Sequence, residues 1–353
     1  MTTHDQATPE RVSLRKRFFS LPTLISFALA TGVIFLLVTR FEVDWGATWD
    51  NIRSMNPWLY LAALGVYYTS FVFRGLRWRL LALNAMTGAA EDADVPSVVR
   101  CSQLIAIGWF VNAIAWLRLG DAYRAYAFAE DSNTTFSWSL GTVLAERVLD
   151  MATVAVLIFV SVIFLTATSD LTVTTYILVM AFVMAVGVAA IVFTMKRFGT
   201  RAARFLPNKF EVAYRRFHQG AMGGFGGRLP LMLALGTASW LLEMARLYFV
   251  AQALGVDLSI GLIPVVALGH AILSTVPTPG GVGVVEPGIT GLLLLGLERS
   301  DAASVAIVER SITYVSVLLV GGLMFLLRQT VRMRSARNEA AITTPTGPRA
   351  RLP

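Results

Sequence analysis

The sequence predicts an all-α polytopic membrane protein of about eight transmembrane helices, with two short re-entrant hairpins, arranged as an inverted repeat. Three observations carry this expectation. The chain is 56% hydrophobic and 15% charged, with mean hydropathy +0.64, where a soluble chain would be about a quarter charged. Several apolar runs reach the roughly 20 residues that cross about 30 Å of hydrocarbon as helix. The basic residues gather at the ends of these runs, which is the pattern of cytoplasmic loops. Period-two alternation is missing, so a β-barrel is not expected.

The elements follow in order. Residues 1–20, with "RVSLRKRFF", form a basic cytoplasmic segment ahead of a first span, Leu21–Val38, which ends in "VTRFEVDW" without a small-residue cleavage site and reads as retained. Further spans are expected at Pro57–Leu83, Ser97–Leu117, Trp138–Leu165, Val173–Met195, Leu229–Leu254, Gly261–Val276 and Ala302–Leu327. The most basic internal segment lies in the cytoplasmic loop 196–228, and "TATSD" (Thr166–Asp170), without a basic residue, suits the outside. Residues 329–353 read as a disordered cytoplasmic tail. Trp45, Trp49, Trp58 and Trp138 lie near span ends, as interfacial belts do.

Both termini are thus cytoplasmic and the chain multi-pass in the cytoplasmic membrane, an orientation that requires an extra partial crossing in each half. The segments available are Leu119–Phe136 and Val284–Leu297. The second follows "STVPTPGGVGVVEPG" (Ser274–Gly288). Pro277 and Pro279 end a short incoming helix. Gly280, Gly281 and Gly283 permit a tight reversal. Pro287 opens the outgoing helix, and Glu286 sits at its N-terminus, where the dipole favours negative charge. Non-helical backbone at membrane depth is tolerated where it is buried in protein or lines a wet cavity, so both hairpins point to an internal site.

The halves 57–166 and 229–328 resemble each other. Gly120 precedes the Glu146-Arg147 pair by the same 26 positions that separate Gly283 from Glu309-Arg310. "RGLRWRLLAL" (Arg74–Leu83) sets against "EMARLYFVAQAL" (Glu243–Leu254). Charges at this depth are costly and mark functional or clamping sites. Neighbouring side chains on a helix diverge by about 100°, so each Glu-Arg pair is expected to reach outward to the partner half or the hairpin. Asp150 shares the face of Glu146, and Thr313 takes the corresponding place in the second half. Arg118 and Arg124 flank Asp121 in "WLRLGDAYR", and guanidinium is the group that best grips phosphate. Arg74, Arg77 and Arg79 read as snorkelling, Glu243 and Arg246 as a local pair, and His270 as a hydrogen-bonded core residue.

Other chemistry is not indicated. The net charge of +8 is distributed as a topology signal, so no nucleic-acid partner is expected. A single cysteine, Cys101, excludes an internal disulfide. No Walker A, HExxH, CxxC or GxSxG motif occurs, and no catalytic set, metal site or cofactor is expected.

At "TPGGVGVVE", "LRLGDAYR" and the two Glu-Arg helices, the sequence resembles the lysylphosphatidylglycerol synthase transmembrane family of flippase-like membrane proteins, over about Leu21 to Leu327. Asp121 stands where Glu is usual, and Trp116 and Leu117 where a proline-containing turn is common. The resemblance implies an inner-membrane protein that moves or handles lipids. In the full synthases a separate soluble domain performs aminoacyl transfer; the present chain ends about 25 residues after its last expected span, so it is not expected to be an enzyme. The expected function is translocation of a phospholipid or polyprenyl-linked lipid. Arg118 and Arg124 would contact phosphate, Asp121 and Asp150 would share the polar face, Glu146, Arg147, Glu309 and Arg310 would line or gate the cavity, and Glu286 would meet a headgroup. The alternative is a non-transporting membrane partner of a glycosyltransferase or other lipid-modifying enzyme, docked through the basic loop.

Overall fold

The computed structural model describes residues 44–86, 94–165 and 171–343. The first expected span, the "TATSD" loop and residues 344–353 lie outside them. The described residues contain no strand. Helix α1 is Trp45–Arg53, α2 Pro57–Ala85, α3 Val98–Ile114, α4 Leu119–Asp131, α5 Phe136–Leu165 and α6 Leu171–Ala202. Helix α7 is Asn208–Gly223, α8 Leu229–Ala253, α9 Leu262–Leu273, α10 Val285–Leu293, α11 Arg299–Arg310 and α12 Val317–Thr343. A π-helical turn, Ser311–Ser316, joins α11 to α12 without a break.

The helix starts follow local chemistry. Asn56 caps α2 by accepting from the backbone N–H groups of Trp58 and Leu59, with Pro57 in the first turn. Ser97 caps α3 through the Arg100 N–H. Asp44 caps α1 through Gly46 and Ala47.

Three helical stretches among the described residues are long and apolar enough to cross a membrane: Pro57–Ala85, Thr175–Phe205 and Arg299–Arg334. Helices α3 and α9 are apolar but shorter. The long C-terminal helix runs through Thr343, where a disordered tail was expected from residue 329. Residues such as Arg332, Arg334, Ala336, Glu339 and Ala340 are good helix formers, and the next proline, Pro345, lies beyond the helix.

Helices α2 and α8 form the most extensive helix–helix interface. Around them, α3 packs on α2, α4 and α12, α5 on α6 and α7, and the short helices α9, α10 and α11 pack in succession. Tyr60 bonds Ser311 at 3.0 Å and Tyr68 bonds Ser316 at 2.8 Å, tying α2 to the π turn. Trp138, expected in an interfacial belt, is buried against Phe128 instead, because α7 covers that face of α5. Trp45, Trp49 and Trp58 are exposed.

Both segments expected to reverse are short helices entered through left-handed turns. In the first, Leu117 and Arg118 have φ of 57° and 53°; in the second, Gly280 and Gly281 have φ of 58° and 69°. The turns touch, the Leu117 N–H donating to the Pro277 carbonyl at 3.4 Å. After the first turn α4 lies so close to α3 that a Cβ on Gly120 would stand 1.9 Å from the Gly108 carbonyl oxygen. Only glycine fits there, and its N–H donates to the Asn112 side chain at 2.8 Å.

Candidate functional site

Where the two turns meet α2, α5, α8 and α9, the helices enclose a cavity of about 580 Å³. The charges on its wall come from six elements. Helix α2 supplies Arg74; the first turn and α4 supply Arg118 and Asp121; α5 supplies Arg147 and Asp150; α8 supplies Glu243 and Arg246; and α11 supplies Arg310. Five guanidinium groups face three carboxylates, which leaves two positive charges when His270, also on the wall, is neutral. Tyr67, Trp109, Trp240 and Tyr314 supply the aromatic faces.

The two Glu-Arg pairs diverge in the same manner. Glu146 turns away from the cavity and pairs with Arg124 at 2.6 Å and Arg77 at 3.4 Å, while Arg147 reaches Asp121 in the first turn of α4 at 2.6 Å. Glu309 pairs with Arg246 and accepts from the His270 Nδ1 side at 3.2 Å. Arg310 reaches Glu286, in the first turn of α10, at 2.8 Å and donates to the Gly280 carbonyl at 3.0 Å. Glu286 also accepts the Gly283 N–H at 2.8 Å, so it closes the turn as well as pairing with Arg310. In both halves the Arg of the pair thus binds a carboxylate at the start of the short helix, while Glu146 binds Arg124 and Arg77 behind the wall and Glu309 binds Arg246 and His270 on it. Thr313 returns its hydroxyl to the Glu309 carbonyl at 3.0 Å, whereas Asp150 accepts from Arg77 at 2.8 Å.

Several placements differ from the sequence expectation. Arg124, expected to face phosphate, is 1% exposed, lies between Glu146 and Asp121, and stacks on Trp78 at 5.0 Å. It stands behind the cavity wall, and Arg147 takes the wall position. Arg74 and Arg77, expected to snorkel, are buried. Arg74 crosses to α8 and binds Glu243 at 3.2 Å, sandwiched by Trp109 and Trp240 at 5.3 and 5.0 Å. Their burial follows from α8 and α5 both packing on the part of α2 where the arginines lie, α8 against Arg74 and α5 against Arg77. Arg246 does pair locally with Glu243, at 3.0 Å, but it also bridges to Glu309. The signal for these residues was present as charges three apart on two segments that align with each other. Of the two destinations expected for the Glu-Arg pairs, the partner half or the hairpin, Arg147, Arg310 and Glu146 reach the hairpins, while Glu309 pairs with Arg246 and His270 of its own half. Contacts between the halves include Arg74 to Glu243 and Arg118 to the Ser274 carbonyl at 2.6 Å.

All six carboxylates of the cluster, Asp121, Glu146, Asp150, Glu243, Glu286 and Glu309, are engaged by arginine. Among the described residues no group of three or more His, Cys, Asp or Glu side chains could hold a metal. Donors are in surplus. The Tyr67 hydroxyl, Trp240 Nε1, Arg74 Nε and Arg147 Nε, all on wall residues, are buried without a hydrogen-bond partner in the protein, as is Thr278 Oγ1. Buried donors of this kind cost about 1–3 kcal/mol each until satisfied. Chemically, the cavity is prepared to accept an anion.

Relatives resemble the chain in sequence over most of its length. A UPF0104 membrane protein of Methanocaldococcus jannaschii is 28% identical over 65% of this chain and 99% of its own length. Another, from Methanothermobacter thermautotrophicus, is 23% identical over 83% of this chain and 92% of its own. The protein named glycosyltransferase AglD of Haloferax volcanii is 24% identical over 94% of this chain, which corresponds to 58% of that protein. The family model described as the lysylphosphatidylglycerol synthase TM region matches residues 23–321, and the chain, a membrane protein, belongs to that family.

Proposed function

We propose that this protein is a lipid translocase of the cytoplasmic membrane, which shelters the polar head of a phospholipid or polyprenyl-linked lipid in the charged cavity while the acyl chains remain in the bilayer. The observation that carries the reading is the cavity itself: a half-open chamber among apolar helices, its largely apolar wall carrying a cluster of arginines. Such a chamber lowers the cost of bringing a charged group through hydrocarbon. On this reading the chain spans the membrane about eight times, with both termini cytoplasmic, and the two short-helix hairpins are re-entrant.

An inverted repeat is part of the proposal. The left-handed turns at Leu117–Arg118 and Gly280–Gly281, and the starts of α5 at Phe136 and α11 at Arg299, are each separated by 163 positions. This common offset supports two structurally equivalent halves, with the site at their interface as in many transporters. Arg118, Asp121, Arg147, Asp150 and Arg310 line the route; Arg124, itself held by Glu146, holds Asp121, Glu286 holds Arg310, and Glu309 holds Arg246 beside them. No bond-making step is proposed.

The test is reconstitution of purified protein into liposomes carrying labelled lipid. Faster exchange between leaflets is expected, with loss of rate in Arg147→Gln. Failure to accelerate any anionic, zwitterionic or polyprenyl lipid would refute translocation. The likeness to glycosyltransferase AglD favours a second reading, a non-transporting membrane partner of a glycosyltransferase. Stoichiometric co-purification of such an enzyme, with liposome assays negative, would select it.

A further inference from the structure

We propose that Arg118 and Arg147, bridged by the single carboxylate of Asp121, seat the phosphodiester of an anionic lipid headgroup that carries no fixed cation. The proposal rests on the reading of the cavity as a headgroup site and adds where the head sits and what charge it bears.

The argument begins with which arginines are free to act. Arg74 is held by Glu243 and two tryptophan faces. Arg246 lies between Glu243 and Glu309, with its guanidinium 5.3 Å from the Tyr67 ring centroid. Arg310 is fixed by Glu286, the Gly280 carbonyl and the Tyr314 face. Arg118 and Arg147 differ. Their side chains are 29% and 25% exposed, the most accessible of the five on the wall. Arg118 has no carboxylate nearer than Asp121 Oδ2, at 3.7 Å, and its short contact is to the neutral Ser274 carbonyl. Arg147 holds Asp121 with one nitrogen at 2.6 Å and leaves Nε, a buried donor, without a partner. Arg124 draws on the same Asp121 at 3.2 Å. Arg124 is compensated more closely by Glu146, at 2.6 Å, and Asp150, 4.0 Å from Arg147, is held by Arg77 at 2.8 Å. Arg118 and Arg147 therefore share Asp121 as their nearest carboxylate, and their excess positive charge faces the cavity.

A phosphodiester suits this geometry. It offers two equivalent anionic oxygens, which two guanidinium forks can grip from either side. A headgroup ammonium does not suit it. An amine needs an uncommitted carboxylate, and each acidic side chain on the wall is already engaged by arginine. Arg118, with left-handed backbone, donates across to the Ser274 carbonyl at the end of α9, so the seat spans the contact between the halves.

The experiment uses the purified full chain in detergent, with ligand affinity read from the shift in thermal unfolding. The ligands are phosphatidylglycerol, phosphatidylcholine, lysyl-phosphatidylglycerol, and soluble glycerol phosphate and inorganic phosphate. Phosphatidylglycerol should bind at least about tenfold tighter than the zwitterionic or lysylated lipid, and the soluble phosphates more weakly. Arg118→Gln should weaken phosphatidylglycerol binding roughly tenfold or more. Asp121→Asn should tighten it, because the competing negative charge is removed. That opposite sign separates a seat from scaffolding. Should Asp121→Asn fail to fold, Arg147→Lys and Arg147→Gln serve: the first keeps charge and should lose less affinity than the second.

Unchanged affinity in Arg118→Gln would overturn the proposal. So would equal binding of the lysylated lipid, or parallel losses in the Arg118 and Asp121 variants. Glycerol phosphate binding as tightly as the lipid would assign the seat to a soluble phosphoester and overturn the lipid part. Binding is measured apart from movement. Phosphatidylglycerol that binds but does not exchange between leaflets in vesicles would remove the translocase reading and leave the seat standing.

Discussion

Gly280→Ala tests how the second turn holds the cavity wall. At Gly280, φ is +58°, and a Cβ would stand 2.3 Å from Tyr314 Cε2 and 2.7 Å from Cδ2. Left-handed backbone costs an L-residue about 1–2 kcal/mol. Forcing the methyl against the ring adds an overpacking cost of about 1–3 kcal/mol. The expected loss is therefore roughly 2–5 kcal/mol. The ring that must move also carries the Arg310 guanidinium at 4.8 Å from its centroid, so ligand affinity should fall with stability. The first turn supplies the control. Leu117 holds a φ of 57° without glycine, and its side chain is largely exposed. Leu117→Gly relieves the backbone term with little packing lost, offset by about 0.5–1 kcal/mol of glycine entropy. It should be neutral or slightly stabilising. Equilibrium unfolding in mixed micelles reads both variants. A Gly280→Ala protein within about 0.5 kcal/mol of the parent would refute the argument, since ordinary surface substitutions give as much.

The remaining predictions concern the ion pairs. Glu309→Gln leaves Arg246 buried with Glu243 as its one remaining anionic partner, and should cost about 3 kcal/mol. Glu286→Gln, at a site whose side chain is 28% exposed, should cost less than about 1 kcal/mol; equal losses in the two would undo this ordering. Gly281→Leu should be more damaging than Glu286→Gln, because a Cβ at φ +69° would stand 2.4 Å from Val285 Cγ2; the reverse ranking in folded yield would make the turn chiefly a charge site. Arg328 donates to both oxygens of Asp131, at 2.7 and 2.8 Å, and to the Ala127 carbonyl at 3.1 Å, fastening α12 to α4. Arg328→Gln should speed hydrogen exchange over the following turns of α12, and unchanged protection there would show that the helix is held elsewhere.

Much of this arrangement is legible in the sequence, and the rest has identifiable physical reasons for being hidden. The helix starts at Pro57 and Val98 follow from Asn56 and Ser97, whose side chains act within four residues. The Glu146-Arg147 and Glu309-Arg310 pairs stand out because charge inside an apolar run is costly wherever the helix packs. The second turn is written in Pro279, Gly280 and Gly281. The first is not: Leu117 and Arg118 adopt the same left-handed backbone with residues that rarely do, so nothing local announces it. That turn decides which arginines surround Asp121, and Arg147 could not be preferred to Arg124 without it. Arg74 and Arg77 sit near the end of their apolar run, where a free helix would let them snorkel; packing of α2 against α8, α5 and α3 buries them. The π turn at Ser311–Ser316 has no sequence mark, although π turns recur at functional sites.

The charge arrangement also explains how so polar a site persists among apolar helices. Seven arginines, Arg74, Arg77, Arg118, Arg124, Arg147, Arg246 and Arg310, meet the six carboxylates, so the cluster carries one net positive charge. Burying isolated charges would cost several kcal/mol each, and pairing is what makes their burial tolerable. The deepest members, Arg77, Arg124, Glu146 and Glu309, each lie against at least one group of opposite charge at close range and do not line the cavity. Arg118 and Arg147, nearest to Asp121, are the accessible ones. The residual charge therefore lies where a ligand can reach it and is compensated where one cannot. A network built only to clamp helices has no need of that gradient. A site that must take up an anion and let it go requires it, because a fully neutralised wall would offer no attraction and a deeply buried free arginine would not release what it bound.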